Sequence, residues 1–270
     1  MTHLHGLLLL SCIALLVPAI AGGQREAAEA LLKWKASLTD ADASLTSWSN
    51  ATSSPCNWAF VSCSSTGDVT ALSIINARIN GTLAGLDFSA FPRLEELVLD
   101  QNDLYGTIPE GIGNLTSLIW LGIYGQSLSG PIPRSIGQLK QLAHLQLADL
   151  ELSGTIPVEI GNLTSLQEMQ LSGNNGLTGL IPPAIGKLEK LSSLDLSSNN
   201  LKGSIPSQIG NMTELETMVL NRNYLEGELP GTLSRLQKLG TIAVSDNQLG
   251  GRIAQQLGNN NNLTSIFDCK

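Results

Sequence analysis

Histidines, aromatic residues and positive charges are scarce in this chain of 270 residues. Phe, Trp and Tyr make up only 4% of it although 42% is hydrophobic, which suits a stack of small regular units better than a core of large rings. His3 and His5 lie at the very start, so His144 is the one histidine in the rest of the chain. A Ser-His-Asp triad could use only this imidazole, and a metal cluster would need more His or Cys. The sequence therefore predicts a non-enzymatic protein with no metal or other cofactor.

The charge balance narrows the class of partner. The chain has 15 Lys and Arg against 23 Asp and Glu, a formal net charge of −8. A negative protein does not favour nucleic acid or an anionic membrane surface, because both carry the same sign of charge. A basic protein surface or a basic peptide suits this charge better.

Only one long apolar run occurs, and it lies at the N-terminus. The run from Leu7 to Val17 is too short to span a bilayer comfortably. The small-residue pattern Ala19-Ile20-Ala21 follows it and resembles a cleavage site. We predict a signal peptide over residues 1–21, with an uncleaved anchor as the alternative. Cleavage would leave an exported protein without membrane insertion, in the extracellular space or the cell wall.

Cysteine is rare as well. Cys12 lies in the predicted signal, which leaves Cys56, Cys63 and Cys269. The oxidising environment of an exported chain favours a short-loop disulfide between Cys56 and Cys63. Cys269 is then left over, and three states stay open for it: a lost partner, an intermolecular disulfide dimer or a free thiol.

A repeat of 24 residues dominates the chain from Val69 onward. One unit is a residue longer, because Asn175-Gly176 adds a position, and the unit at Val69 is degenerate. We call each unit a coil and name it by its first residue. The regular coils begin at Leu94, Leu118, Leu142, Leu166, Leu191, Leu215, Leu239 and Leu263, the last being partial.

Each coil predicts one short strand followed by a segment without regular structure. The first leucines alternate as in a strand, whereas the Gly-x-Ile-Pro segment cannot be helix or central strand because proline lacks a donor. One coil cannot bury its leucines alone, so the coils must stack. The fold class predicted is an α/β repeat, a right-handed solenoid with a parallel β-sheet on its concave face.

The consensus L-x-x-L-x-L-x-x-N-x-L-x-G-x-I-P resembles the plant-type extracellular leucine-rich repeat family. We assign these repeats, about eight with the last partial, to residues 69–270. The segments EAAEALLKWKASL, LTSW and CNWAFVSC resemble the helical, disulfide-bonded N-terminal cap of that family, which we assign to residues 22–68. Phe60 stands where the cap motif has glycine, so this chain departs from the motif at the local turn.

The sequence also offers sites for N-glycans. An exported chain is expected to carry glycans at about half or more of its Asn-x-Ser/Thr sequons, because these mark surface loops. Three of them lie in the GNLTSL or GNMTEL turn of the repeat, which explains the motif equally well. The sequons are at Asn50, Asn80, Asn114, Asn162, Asn211 and Asn262.

The asparagine of the consensus is expected to bond backbone groups in the turn after the strand, forming a ladder along the solenoid. Gln126 and Leu150 replace it in two neighbouring coils. Unsatisfied backbone groups cost about 1–3 kcal/mol each, so we expect local irregularity there. The coils that keep the residue have Asn102, Asn174, Asn199, Asn223 and Asn247.

Residues between the strand leucines should project from the concave sheet, because strand side chains alternate. Trp120 and Tyr124 then face the same side, with Gly122 and Gly125 leaving room for a close approach. Exposed aromatics among polar groups are common interface anchors, although Trp120 could instead fold back over the sheet. We expect His144 to be a rim or partner contact. The predicted ligand-contacting residues are Glu96, Val98, Asp100, Trp120, Tyr124, His144, Gln146, Glu168, Gln170, Asn221 and Arg222.

The resemblance implies a secreted recognition module that binds a protein or peptide through its concave sheet in plant signalling or defence. It is similar to the ectodomains of plant leucine-rich-repeat receptor-like kinases, so the partner could be a receptor kinase ectodomain or a microbial enzyme. The alternatives are a protein resembling polygalacturonase-inhibiting proteins, which would block a microbial cell-wall enzyme, a truncated receptor product, and an ice-binding or wall-associated structural solenoid.

Overall fold

The computed structural model describes residues 23–39, 41, 43–49, 54–251 and 265–267. The predicted signal peptide, the sequons at Asn50 and Asn262, and Cys269 lie outside the described residues. The chain forms a leucine-rich repeat solenoid in which each coil adds one strand to a long parallel sheet. This confirms the fold class predicted from the repeat.

In the described part of the chain, two sheets run along the solenoid. The strands are β1 (Val61–Cys63), β2 (Val69–Ile75), β3 (Asn80–Thr82), β4 (Glu96–Asp100), β5 (Asp103–Thr107), β6 (Trp120–Tyr124), β7 (Ser127–Pro131), β8 (His144–Ala148), β9 (Glu151–Thr155), β10 (Glu168–Gln170), β11 (Gly176–Gly179), β12 (Ser193–Asp195), β13 (Asn200–Gly203), β14 (Thr217–Val219), β15 (Tyr224–Glu228), β16 (Thr241–Ala243), β17 (Gln248–Gly250) and β18 (Ser265–Phe267).

The larger sheet forms the concave face. Among the described strands its order is β1-β2-β4-β6-β8-β10-β12-β14-β16-β18, and β1 is antiparallel to β2 whereas the coils pair in parallel. The strand leucines point inward: Leu97, Leu121 and Leu145 lie in register and are fully buried. Stacked coils therefore share one continuous apolar core.

The second sheet was not predicted. Its order is β17-β15-β13-β11-β9-β7-β5-β3 in the described chain, and it uses the residues just after the asparagine of each coil. Most of these strands end on the glycine of the Gly-x-Ile-Pro segment or one residue after it, as β5 does at Thr107 after Gly106. Strand β17 ends one residue before its glycine, Gly251. The prediction that the Gly-x-Ile-Pro segment contains no strand was therefore wrong for its first residues. The proline, which lacks a backbone donor, usually follows the last residue of the strand.

Short 3-10 helices close the other side of most coils. Six of those described follow the repeat proline, which caps the helix with an extended backbone, as Pro133 does at φ −65°. Their isoleucine or leucine, such as Ile136, is buried against the strand leucines. The 3-10 helices are Pro55–Asn57, Leu83–Gly85, Phe88–Ala90, Glu110–Asn114, Arg134–Gln138, Val158–Asn162, Pro183–Lys187, Ser207–Asn211 and Gly231–Arg235.

The N-terminal cap consists of helix α1 (residues 23–37), a tryptophan cluster and a disulfide. Trp34 is fully buried and donates from Nε1 to the carbonyl of Thr82 at 2.8 Å, which joins the helix to the first coils. The ring centroids of Trp48 and Trp58 lie 5.7 Å apart in a stack. The predicted disulfide between Cys56 and Cys63 is confirmed.

Phe60 occupies the glycine position of the cap motif without disrupting the turn. Its φ is 68°, in the left-handed region that glycine adopts without strain. A non-glycine residue there costs roughly 1–2 kcal/mol. The Phe60 side chain packs against the core, which offsets part of that cost.

The predicted asparagine ladder is confirmed. Asn223 Nδ2 donates to the carbonyl of Leu196 at 2.8 Å, and Asn223 Oδ1 accepts the amide of Leu201 at 3.0 Å. Each ladder asparagine thus ties its own coil to the backbone of the preceding one. Comparable bonds are made by Asn102, Asn174, Asn199 and Asn247.

The ladder changes at Gln126 and Leu150 without disturbing the backbone. Gln126 Nε2 donates to the carbonyl of Leu99, but its buried Oε1 has no hydrogen-bond partner among the described residues. Leu150 is a buried apolar side chain at the next step. Strands β6 and β8 nevertheless pair in register along their full length. The expected irregularity of these coils is therefore wrong for the backbone, and the departure is confined to the side chains.

Candidate functional site

The sheet register brings four of the predicted contact residues into one line across the concave face. Glu96 lies opposite Trp120, Trp120 opposite His144, and His144 opposite Glu168. We call these four residues the aromatic row. Each comes from a different coil, so the row exists only because the coils stack with a constant register.

Trp120 lies flat on the sheet. Its ring stacks on His144 with centroids 4.5 Å apart and planes at 26°. Its Nε1 would be 3.1 Å from a Cβ at Gly122, so the indole extends over the glycine in its own strand. The side chain is half-buried, which matches the alternative that Trp120 folds back over the sheet. The missing side chain at Gly122 is what lets it do so.

His144 is held in place from both sides. Its Nδ1 lies 3.0 Å from Glu168 Oε2, while the indole of Trp120 covers the ring. The His144 side chain is 25% exposed and that of Glu168 is 45% exposed. The row thus presents an ordered aromatic surface with a carboxylate near each end.

Tyr124 and Asp100 form a second pair next to the row, in register on β6 and β4. Burial raises the pKa of the Tyr124 hydroxyl above its ordinary value, and the neighbouring Asp100 carboxylate adds to the increase. Asp100 is only 5% exposed, and its Oδ1 has no hydrogen-bond partner within the described part of the chain. A buried acceptor without a partner is costly.

Several predicted residues lie differently from expectation. Val98 and Asp100 do not project freely, because neighbouring side chains cover the sheet there and both are buried. Asn221 and Arg222 lie beyond the end of β14, in the turn rather than on the strand. Arg222 makes an ion pair there with Asp246, with Nε and Oδ2 3.6 Å apart.

The remaining predicted contact residues lie on the concave strands, and the described sequons lie outside the concave sheet. Gln146 and Gln170 are half-buried and lie opposite each other in the row next to the aromatic row. The sequons at Asn114, Asn162 and Asn211 are exposed at the ends of 3-10 helices. At Asn80 the side chain is half-buried, and the backbone of that residue bonds Thr39.

The sequence did not reveal a polar groove at the edge of the concave face. It has a volume of about 550 Å³ and is lined by residues that include Asp103, Tyr105, Gly125, Gln126 and Asp149. Asp103 and Tyr105 belong to β5 of the unpredicted second sheet, which is why sequence reasoning missed them. Their constant offset from the ladder asparagine is the signal that could have placed them.

Neither a metal centre nor a membrane span is found among the described residues. They contain no group of three or more His, Cys, Asp or Glu side chains that could hold a metal ion. Within the same ranges, none of the helices is long and apolar enough to cross a membrane.

Family models match both parts of this architecture. A model of the leucine rich repeat N-terminal domain matches residues 26–64. One leucine rich repeat model matches residues 189–249. A second matches residues 93–115 and 165–188. The fold and these matches define a capped leucine-rich repeat protein.

Individual relatives make the class more specific. The LRR receptor-like serine/threonine-protein kinase RGI3 of Arabidopsis thaliana is 37% identical over 90 residues, which are 33% of this chain and 8% of the kinase. The plant peptide hormone receptor RGFR1, solved in complex with RGF2, is similar with a TM-score of 0.70 and 31% identity, over 79% of this chain and 37% of that one. A plant ice-binding protein is similar with a TM-score of 0.65 and 26% identity, over 91% of this chain and 95% of that one.

The chain has a leucine rich repeat N-terminal domain followed by leucine rich repeats, and it is homologous to the ectodomains of plant leucine-rich-repeat receptor-like kinases. It spans less than a tenth of the length of RGI3. The matches to such kinases cover only their leucine-rich repeat region, a fold that typically binds ligands.

Proposed function

We propose that this chain is an extracellular recognition module that binds a peptide or protein through the aromatic row, in plant signalling or defence. The row carries the proposal, because it places a stacked Trp120–His144 pair at the centre of the concave face with Glu96 and Glu168 at its ends. Aromatic anchors surrounded by polar groups are where binding energy concentrates in interfaces.

The similarity to receptor ectodomains supports the same function. RGFR1 is a plant peptide hormone receptor solved in complex with RGF2, and 37% of its chain aligns with 79% of this one. A short peptide or a second ectodomain is therefore the first class of partner to test, with a microbial enzyme as the second. The chain is not expected to catalyse a reaction itself.

Panning of displayed random peptides against the purified protein tests the proposal. We expect peptides whose affinity falls about tenfold or more in Trp120→Ala, since truncating a hot-spot residue costs about 2 kcal/mol or more. Tyr224→Ala is the matched control, because Tyr224 is an exposed aromatic outside the row. The proposal fails if folded Trp120→Ala retains the binding of every selected peptide.

An ice-binding function is the second candidate, because this chain aligns with 95% of the plant ice-binding protein. A bound ice plane needs a flat and regular surface, whereas the bulky row at Trp120 breaks the regularity. An assay of ice recrystallisation decides between the two functions. Strong inhibition that survives Trp120→Ala would favour ice binding, and its absence would favour recognition.

The remaining alternatives have less support. A polygalacturonase-inhibitor-like role would show as inhibition of a purified microbial polygalacturonase. A truncated receptor product would show as aggregation or as a disulfide dimer through Cys269 on non-reducing gels. We expect the polygalacturonase to stay active.

A further inference from the structure

One residue in the turn after each concave strand adopts a left-handed backbone, and its identity varies from coil to coil. We call these residues the turn row. They lie at the edge of the concave face, one residue beyond Tyr124 in the Leu118 coil. The row consists of Asn76, Gln101, Gly125, Asp149, Gly173, Ser198, Arg222 and Asp246, with φ between 49° and 74°.

Near the C-terminal end, the turn row contains its own ion pair. Arg222 Nε lies 3.6 Å from Asp246 Oδ2 in the next coil. Both residues line a groove of about 450 Å³, together with Asn200 and Tyr224. The chain thus places a guanidinium against a carboxylate at this edge.

The equivalent groove four coils earlier has no guanidinium. In the groove of about 550 Å³, Gly125 takes the place of Arg222, Asp149 that of Asp246, and Asp103 that of Asn200. The space above Gly125 is open, because a Cβ there would have no neighbouring atom closer than 3.9 Å. The earlier groove therefore keeps the acid of the pair but not the base.

The charges and hydrogen bonds around Gly125 favour a cation. Asp103 and Asp149 line the groove, and none of the described Lys and Arg side chains pairs with them or with Asp100. Asp100 Oδ1 lies 3.9 Å from the Cβ position of Gly125, and it is a buried acceptor without a partner in the described chain. The buried Oε1 of Gln126 is also unpartnered there. A group with several N–H donors and a positive charge would satisfy these oxygens.

We infer that the groove at Gly125 is a binding site for an arginine side chain of the ligand. The guanidinium would lie above Gly125 with Asp103 beside it. Asp149, whose carboxylate reaches toward Gly173 in the next coil, would form the far wall of the groove. This inference rests on the proposed function, because the groove opens at the edge of the same concave face and adds one ligand residue to it.

The test uses a minimal probe that does not depend on a known ligand. The acetylated and amidated tripeptide Gly-Arg-Gly is titrated into the isotope-labelled protein, and the amide signals of Gly125 and Gln126 are followed by NMR. The matched probe contains citrulline, which keeps the shape of arginine but carries no charge. We expect saturable shifts with the arginine peptide and a dissociation constant at least about fivefold higher with citrulline.

Two substitutions at Gly125 make the test specific. Gly125→Arg supplies the missing side chain and should remove binding of the tripeptide, and the turn row already holds an arginine at φ 55° in Arg222. Gly125→Gln is the control of similar size without charge, chosen because Gln101 already occupies the turn row at φ 49°, and it should weaken binding much less.

The outcomes separate this inference from the proposed function. If the arginine peptide binds wild type and Gly125→Arg equally, or if citrulline binds as well as arginine, the inference is overturned. Peptides selected by panning that depend on Trp120 but lack any basic residue would also overturn it, while the proposed function would stand. If panning yields no peptide that depends on Trp120 but the arginine tripeptide still binds at Gly125, the inference about the groove stands. The proposed function of the aromatic row is then rejected.

Discussion

Trp120 and His144 stack 4.5 Å apart although their α-carbons belong to different coils. The stack is fixed on one side by Gly122, which leaves space for the indole, and on the other by Glu168, which contacts the imidazole. If the proposed function is correct, a ligand meets a surface that is ordered before binding. Such preorganisation lowers the entropy lost on association.

A double-mutant cycle on Trp120→Ala and His144→Ala should give a coupling in the free energy of unfolding of about 0.5–1.5 kcal/mol, the usual value of a ring pair beyond its area burial. Denaturant unfolding of the four proteins measures it. Additive effects of the two substitutions would mean that the stack is not formed in solution.

Glu168→Gln removes the carboxylate charge beside His144 but keeps the size of the side chain. Because both groups are partly exposed, we expect the free energy of unfolding to fall by less than about 1 kcal/mol. Affinity for peptides selected on the wild type should fall more than stability does. Unchanged affinity would show that the ordered imidazole plays no part in recognition.

Gln126→Asn should stabilise the solenoid. The shorter amide restores the ladder side chain, and it removes a buried oxygen without a partner in the described chain, which costs about 1–3 kcal/mol. Asn223→Gln is the reverse control and should destabilise, because Asn223 makes ladder bonds to Leu196 and Leu201. Thermal unfolding of both variants checks the pair, and equal shifts of the same sign would contradict the ladder argument.

Phe60 offers a test of backbone strain. Phe60→Gly and Phe60→Ala both lose the ring contacts, but only glycine relaxes a backbone at φ 68°. We therefore expect the glycine variant to be more stable than the alanine variant by roughly 1 kcal/mol. Chemical denaturation with the disulfide intact gives the difference, and a more stable alanine variant would refute the strain.

Glu110 gives a pH dependence with a defined sign. Contacts with Ser135 lower the pKa of the Glu110 carboxyl below its ordinary value, and the Arg134 amide adds to this. The Ser135 amide donates to Glu110 Oε2 at 3.0 Å and the Arg134 amide to Oε1 at 3.3 Å. The stability gained is present above the ordinary carboxyl pKa and is lost as the pH falls through the lowered pKa. Wild type should exceed Glu110→Gln in stability near neutral pH, and the difference should vanish in acid. A constant difference across that range would count against the bonded carboxylate.

Much of the fold followed from the sequence because every coil repeats the same physical requirements. The leucines, the asparagine ladder and the Cys56–Cys63 disulfide were predicted, since each depends on residues a fixed distance apart in one coil or in the cap. The second sheet was missed because each of its strands has three to five residues and ends near a glycine, which hides the alternation.

The site was predicted only in part. Register alone aligned Trp120 with His144, but whether the indole projects or lies flat depends on the gap at Gly122, a contact across the face of the strand. Burial of Val98 and Asp100 depends on the same neighbours. The groove at Gly125 could not be predicted, because Asp103 belongs to the second sheet and Asp149 follows a strand of the concave sheet.

The left-handed turn of each coil has a consequence for how such proteins diversify. Asparagine, glutamine, glycine, aspartate, serine and arginine all occupy it with nearly the same backbone, from Asn76 to Asp246. Replacing one of these residues by another changes the charge and size of the side chain at the edge of the concave face, and the buried leucines can keep their packing. Under the proposed function, single substitutions in the turn row change ligand preference coil by coil, while the buried leucines that hold the fold stay the same.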